Sequence, residues 1–574
     1  MIPLEWMPPL MFCGLVVFML IGFPVAFSLA ALGLFFGFIS IELGFFGPEF
    51  MSGLPLRIFG ILSNELLLAI PFFTFMGAIL ERCGLAEDLL EGTGQLFGPV
   101  PGGLAYAVII VGAILGAITG TVAASVIAMG VISLPIMMRY GYDIKTTTGV
   151  IAASGTITQV IPPSLVLVVL ADQLGRSVGD MYAGAFGPSI VQLLLFVGYI
   201  FILSLVRPQW VPPLPKEART LSGWPLIRRV LWGMIPSIVL IFLVLGTIFL
   251  GLATPTEAGA MGAVGAVVLA LLHNKGFSRG GKTIALVGMA ALITMAIPDT
   301  VIMMGEDMPA ALVESAKSFM DVSRDWLFGI FCVALVLLML ESARITELRD
   351  LIRQAYASTM RLTAMVIFIL IGATVFSLVF QGVDGGKWIE HLLSDLPGGQ
   401  TGFLIIVCLF IFFIAFFLDF FEIAFIIVPL LAPVASKLGI DLVWFGVLIC
   451  VVLQTSFMHP PFGFALFYLR GIAPKEVKSS DIYWGAVPWL FLQVLMAAMI
   501  IIWPNIITGF IPKADVQDPS KVEIRIDSPD LGDPAVPEEN TGNPATPEPA
   551  TTPSAASQDE DPAAAIQRQF QQQR

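Results

Sequence analysis

Two segments of this sequence place oxygen-bearing side chains beside proline pairs, inside runs that are otherwise apolar. The first reads Thr156-Ile157-Thr158-Gln159-Val160-Ile161-Pro162-Pro163-Ser164, and the second Gln454-Thr455-Ser456-Phe457-Met458-His459-Pro460-Pro461. Each follows another interruption: Gly116-Ala117-Ile118-Thr119-Gly120-Thr121 before the first, Phe417-Leu418-Asp419-Phe420-Phe421-Glu422 before the second. Proline has no amide donor and cannot sit inside a regular helix, so a Pro-Pro pair frees backbone carbonyls. In lipid those carbonyls must be satisfied by protein, water or an ion. Carbonyl and hydroxyl oxygens are hard ligands, suited to a hard cation such as Na⁺. A helix N-terminus nearby offers free N–H groups and a positive dipole end to an anionic substrate. The threonines Thr119, Thr121, Thr156 and Thr158 have a plainer alternative, since small hydroxyl residues are common where membrane helices touch. Asp419 and Glu422 are carboxylates in a run of Phe, Leu and Ile, a costly placement that usually serves function. For Glu422 the alternative is a helix tip at the interface. His459 reads as a proton carrier, with a reference pKa near neutrality, or as a neutral imidazole hydrogen-bonded inside the break.

The composition says what must surround these residues. Only 12% of the 574 residues are charged and 57% are hydrophobic, against about 25% charged in soluble proteins. A mean hydropathy of +0.91 cannot be hidden in a core, because even a large fold needs a wettable surface. A soluble enzyme, a nucleic-acid binder and a disordered scaffold are excluded, leaving an integral membrane protein in a lipid bilayer. The five cysteines are scattered, and the sequence has no CxxC, no HExxH and three histidines. A disulfide framework and a structural zinc site are therefore not expected. The acidic start Met-Ile-Pro-Leu-Glu-Trp lacks the basic n-region of a signal peptide. From Lys513 onward, five basic and twelve acidic residues account for −7 of the total −13. This Pro-, Ala- and Glu-rich tail, 513–574, is too polar to offset its ordering entropy and reads as disordered.

A spanning helix needs about 20 apolar residues. Several runs are longer, and 8–41 must break, at Gly22-Phe23-Pro24. Counting doubled runs predicts about 12–14 passes, some of them re-entrant. An internal repeat organises them. At an offset of 298, Pro135, Gly141, Asp143 and Pro162-Pro163 meet Pro433, Gly439, Asp441 and Pro460-Pro461; at 301, Asp180, Tyr182 and Gly184 meet Asp481, Tyr483 and Gly485. Loop charges swap sides between the copies. Arg139 and Lys145 mark 139–146, and Arg470, Lys475 and Lys478 mark 470–481. The positive-inside rule puts both loops in the cytoplasm, inverts the repeats and sends the C-terminal tail to the outer face. Inverted repeats with broken helices are the pattern of secondary transporters, with sites near the membrane midplane.

Ile118-Thr119-Gly120-Thr121, Leu134-Pro135, Arg139-Tyr140-Gly141-Tyr142-Asp143, Ala153-Ser154-Gly155-Thr156 and Ile161-Pro162-Pro163-Ser164 resemble the large membrane subunit of the TRAP (tripartite ATP-independent periplasmic) transporters. Ala253-Thr254-Pro255-Thr256-Glu257-Ala258, Phe417-Leu418-Asp419, Leu438-Gly439-Ile440-Asp441 and Pro460-Pro461-Phe462-Gly463 extend the likeness, which covers roughly 1–280 and 345–512. The resemblance implies an all-α polytopic fold of the ion-transporter superfamily with re-entrant hairpins and an elevator motion. It implies Na⁺-driven import of an organic acid across the bacterial inner membrane, a periplasmic substrate-binding protein and a small membrane subunit as partners. Na⁺ is the coupling ion and no cofactor is expected. Carried over by position, one Na⁺ site takes Thr119, Thr121, Thr158, Ile161 and Pro163; a second takes the segment before Asp419 with Ser456, His459 and Phe462. Asp419, Glu422 and Thr156 are the candidates for substrate contact or coupling. The family's usual Ser-Gly-Ser is Thr119-Gly120-Thr121 here, its usual Thr is His459 and its usual Gly is Ala415.

The expected divisions are scaffold spans (1–59), a first inverted repeat (60–206), a linker with connecting spans (207–280), inserted spans (281–344), a second inverted repeat (345–512) and the tail. The insertion reads as two apolar segments around an acidic loop with Asp299, Glu306, Asp307, Glu314 and Asp321. The nearest alternative function is a stand-alone Na⁺- or H⁺-coupled carboxylate carrier. An intramembrane hydrolase would need a serine motif facing His459, beyond Ser456.

Overall fold

The computed structural model describes residues 3–511 except 220–222, 275–277, 279, 289, 292–293, 295–308, 395–396, 417 and 462. The tail, Phe417, Phe462, Asp299, Glu306, Asp307 and the side chain of Thr119 lie outside what is described. Among the described residues the regular structure is helical. Nine helices are long and apolar enough to cross a membrane, or ten if the pair Pro48–Leu62 and Glu65–Arg82, bent by 46°, counts as one more span. The larger number expected from apolar runs resolves into these and shorter apolar helices of 10–17 residues, including Gly103–Ala117, Leu165–Leu174, Gly399–Ile414 and Leu442–Met458. The run 8–41 breaks where expected: helices Met7–Ile21 and Val25–Glu42 flank Gly22, whose φ is +90°. Glu314 and Asp321 belong to a continuous helix, Ala310–Arg344, rather than to a loop.

The repeat is visible element by element. The first copy contains α1 (Gly103–Thr119), α2 (Val122–Arg139), α3 (Ile144–Thr156), α4 (Leu165–Leu174) and α5 (Val178–Val206). The second contains α6 (Gly399–Ile414), α7 (Val428–Lys437), α8 (Leu442–Met458), α9 (Phe464–Ile472) and α10 (Ser479–Ile502). The matched residues do the same work in both. Gly141 and Gly439 take positive φ, +80° and +72°, a region open to glycine because it lacks a Cβ. Asp143 then caps α3 by accepting from Thr146 N at 2.9 Å, and Asp441 caps α8 by accepting from Trp444 N at 2.8 Å. Both Pro-Pro bonds are cis.

The last helix of each copy packs on the third helix of the other, α10 on α3 and α5 on α8, and α10 also lies along α8 of its own copy. Glycines allow the approach: a methyl on Gly485 would overlap the Lys145 carbonyl, and one on Gly184 would sit 3.0 Å from Val443 Cγ1. Lys145 and Val443 are themselves repeat mates at offset 298. Contact of residue i with j, and of j's counterpart with i's, is the mark of a two-fold relation, as the inverted pair predicted from loop charge requires. Around this core, Val25–Glu42 packs on Thr346–Gly382 and Glu65–Arg82 on Pro255–His273. The Thr254-Pro255-Thr256-Glu257 motif starts that last helix. Thr254 Oγ1 accepts from Glu257 N at 3.3 Å, Glu257 Oε2 accepts from Thr254 N at 2.8 Å, and Thr256 Oγ1 donates to Glu65 O at 2.7 Å.

Candidate functional site

The first hairpin turns at Gly120, φ +62°, so that α1 ends and α2 begins at one tip. The opening amides of α2 have no helical acceptor, and the Thr121 side chain does not cap them. The second hairpin leaves α6 at Ile414 and restarts at Phe420. It passes through a π-helical turn, Ile423–Ile427, before α7. Asp419 is the N-cap of this restart. Its Oδ1 accepts from Glu422 N at 3.1 Å, while Glu422 Oε2 accepts from Asp419 N at 2.9 Å. The two intramembrane carboxylates therefore form a reciprocal capping box. Their spacing, three residues apart, is the sequence signal for it.

Each hairpin lies against the broken helix of its own repeat. In the first, a methyl on Gly116 would sit 2.6 Å from Thr158 Cγ2, so the last turn of α1 rests on the 3₁₀ turn Ile157–Gln159. Thr158 Oγ1 donates to Gly155 O at 2.9 Å, leaving its lone pairs unspent by that bond. Of the candidates for the first Na⁺ site, Thr158 lies against the last turn of α1, Thr121 sits at the hairpin tip, and Ile161 and Pro163 follow Thr158 in the same break. In the second, the Phe416 ring stacks on His459 at 4.3 Å and 7°, with Phe412 edge-on at 4.1 Å. His459 is buried, and neither ring nitrogen has a hydrogen-bond partner among the described residues. The expected hydrogen-bonded imidazole is replaced by one held by aromatic packing. Ser456 Oγ donates to Leu453 O at 2.6 Å, the counterpart of the Thr158 bond.

A cavity of about 150 Å³ lies where the two tips approach. Gly120, Thr121 and Val122 line it from the first hairpin, Asp419, Phe420 and Phe421 from the second. Gln159 and Leu165 come from the first break, and Phe457, Phe464 and Tyr468 from the second broken helix. Thr121 and Asp419, 298 residues apart, line the same space. Thr156 does not line this space. Its hydroxyl donates to Ala153 O at 2.9 Å and accepts from Gln493 Nε2 at 2.9 Å. Gln192 Nε2 likewise donates to Gln454 Oε1 at 2.5 Å. All four side chains are buried. Gln192 and Gln493 are repeat mates at offset 301, and Thr156 and Gln454 at 298. Extending the two registers by a few residues would have found them.

Two re-entrant hairpins and two broken helices, meeting at a cavity that Thr121, Gln159 and Asp419 line inside a polytopic helical protein, define the class: a membrane transporter. The chain belongs to the tripartite ATP-independent periplasmic transporter family, DctM component, whose family model matches residues 12–340 and 318–506. Those matches run on through the stretch read as an insertion and overlap over 318–340. It is 26% identical to the C4-dicarboxylate TRAP transporter large permease protein DctM of Pseudomonas aeruginosa, over 80% of this chain and 88% of that one. It is also 26% identical to the DctM of Rhodobacter capsulatus, over 86% and 96%. The ectoine TRAP transporter large permease protein TeaC of Halomonas elongata is 25% identical, over 87% and 98%. Members of this family are transport permease subunits and not enzymes, and this one is a multi-pass membrane protein.

Proposed function

We propose that this chain is the large permease subunit of a Na⁺-coupled importer of small organic acids in the bacterial inner membrane. A periplasmic substrate-binding protein delivers the acid, and a small membrane subunit completes the assembly. The observation that carries this reading is the cavity between the hairpin tips. Its walls combine the opening turn of α2, whose amides favour an anion, with Thr121 and Asp419, whose side-chain oxygens suit Na⁺. The family's tripartite description supports the two partners. Relatives are named for C4-dicarboxylate, ectoine and isethionate, so family membership leaves the acid to be read from the cavity.

In this mechanism Na⁺ binds at the Thr119–Thr121 tip with Thr158, Ile161 and Pro163, and at the segment before Asp419 with Ser456, His459 and Phe462. Ion binding draws each hairpin onto its break and organises the α2 amides around the substrate. The reciprocal packing of α5 on α8 and α10 on α3 supports moving both hairpins as one body in an elevator step, since neither repeat can shift without the other. Loop charge supports a periplasmic side for the C-terminal tail.

Uptake into proteoliposomes containing the permease, small subunit and binding protein, with Na⁺ varied, tests the proposal. Thr158→Val keeps the methyl against Gly116 and removes the hydroxyl; it should raise the Na⁺ concentration for half-maximal uptake at least ~10-fold, the loss of one ligand hydrogen-bonding group. Uptake indifferent to Na⁺ would overturn the coupling. Full-rate uptake by the 574-residue chain alone would establish the stand-alone carrier instead.

A further inference from the structure

The cavity between the hairpin tips contains a fully buried polar side chain whose hydrogen-bonding capacity is wholly unspent among the described residues. Gln159 lines the cavity, is 1% exposed, and neither its Nε2 nor its Oε1 has a partner among the described residues. Its main chain is fixed: the Gln159 carbonyl accepts from the Ser164 hydroxyl and from Cys450 Sγ at 3.2 Å. The residue is therefore anchored by its backbone while its amide is left over. Buried amides are almost always paired, so an orphan at a cavity wall calls for a partner that enters from outside. Apolar Phe457 is its repeat mate at offset 298, so the fold itself does not demand a polar group there.

Charge and size limit what that partner is. Among the described lining residues there is no Lys or Arg, and Asp419 contributes a carboxylate. The two Na⁺ ions proposed beside the tips would balance the Asp419 carboxylate and one substrate charge, leaving a second substrate carboxylate unpaired where low dielectric makes that costly. The volume of about 150 Å³ is that of an engineered cavity that admits benzene, about six non-hydrogen atoms. A three-carbon hydroxy acid is of that size, whereas a four-carbon dicarboxylate is larger and doubly charged. A primary amide offers a donor and an acceptor side by side, matching a carboxylate next to a hydroxyl.

Resting on the reading of the chain as an organic-acid importer, we propose that Gln159 is the specificity-determining residue of this cavity and that its ligand is a small, singly charged 2-hydroxy acid. Nε2 donates to one carboxylate oxygen and Oε1 accepts from the 2-hydroxyl. The free amides of α2 take the other carboxylate oxygen, and the Phe457 and Phe464 rings cover the carbon end.

The test uses the full-length chain, first alone in detergent and then in the complete reconstituted transporter. In Na⁺ buffer, thermal shift measures binding of 2-hydroxypropanoate, 2-oxopropanoate and butanedioate. The expected order is 2-hydroxypropanoate tightest, 2-oxopropanoate weaker for want of a hydroxyl donor, and butanedioate weakest. Gln159→Leu and the isosteric Gln159→Glu should each weaken 2-hydroxypropanoate binding by about 10- to 100-fold, the loss expected when a built polar contact is removed. Gln159→Leu should also raise the unliganded Tm, because it removes an orphaned amide. Butanedioate binding as tightly as 2-hydroxypropanoate, or wild-type affinities in both variants, would overturn the proposal. So would a Gln159→Leu protein with a lowered unliganded Tm, since that places the amide in the fold. Uptake by the complete wild-type transporter separates the two levels: no carboxylate carried at all removes the importer reading, whereas uptake unchanged by both variants removes only Gln159.

Discussion

Gln493 of α10 donates a 2.9 Å hydrogen bond to the Thr156 hydroxyl of α3, tying the last helix of the second repeat to the broken helix of the first. The pair has a mirror in Gln192 and Gln454. Hydrogen bonds between membrane helices average about 0.6 kcal/mol, with a maximum near 1.7, so two of them add modest stability. Their larger effect is on register, because a helix that slides leaves buried amides without partners.

Thr156→Val tests that fastening. It should lower stability by about 1–3 kcal/mol, the range for orphaning a buried polar group. Gln493→Leu combined with Thr156→Val should cost less than the sum of the single changes. A double-mutant cycle on thermal unfolding in detergent reads the coupling, and strict additivity would show that the bond contributes nothing.

The cross-packing between the repeats depends on glycine. Gly485→Ala would drive a methyl into the Lys145 carbonyl, whereas a methyl on Gly198, also in a terminal repeat helix, meets nothing within 4 Å. Gly485→Ala should destabilise by about 1–3 kcal/mol through overpacking. Gly198→Ala should be neutral or stabilising, since alanine is favoured over glycine inside a helix by about 0.5–1 kcal/mol. The contrast in Tm between the two variants is the measurement.

Asp419 combines a cap with a charge, and substitution separates them. Asn is as good an N-cap as Asp, whereas Ala costs about 1 kcal/mol. Asp419→Asn should therefore keep the wild-type Tm while raising the Na⁺ requirement for uptake, and Asp419→Ala should lose both. An Asn variant with unaltered Na⁺ dependence would assign Asp419 to the cap alone.

On the helix Gly385–Ser394, the Lys437 ammonium donates to Glu390 at 2.5 Å and holds that carboxyl below its usual range. The attraction is present above the ordinary carboxylate pKa and is lost as pH falls through the lowered one. Both groups are solvent-facing, so salt screens the pair. Titrating Glu390 by NMR should show its pKa return toward the ordinary value in Lys437→Gln and at high ionic strength.

Much of this architecture is legible from residues alone, because some requirements are local. A Pro-Pro pair must break a helix wherever it stands, Gly141 and Gly439 must turn the chain, and Asp143 and Asp441 must cap the helices that start just beyond those turns. Two such sets at one offset reveal the repeat, and the apolar composition fixes the solvent as lipid. Position in space is not local. By its sequence neighbours His459 is a hydrogen-bonded or proton-carrying imidazole, but Phe412 and Phe416 arrive from the second hairpin to enclose it. By its spacing Thr156 is a cavity residue, but α10 crosses over to bond it. Gln159 stands in the sequence as one polar residue in a break already rich in them. Only the packing shows that its amide is unpaired and lines the same space as Thr121 and Asp419. The sequence by itself determined the membrane, the repeat and the breaks, because solvation and backbone geometry dictate them. The tertiary structure alone decided which polar groups are used up against protein and which are left facing the cavity, because that depends on contacts between residues hundreds of positions apart.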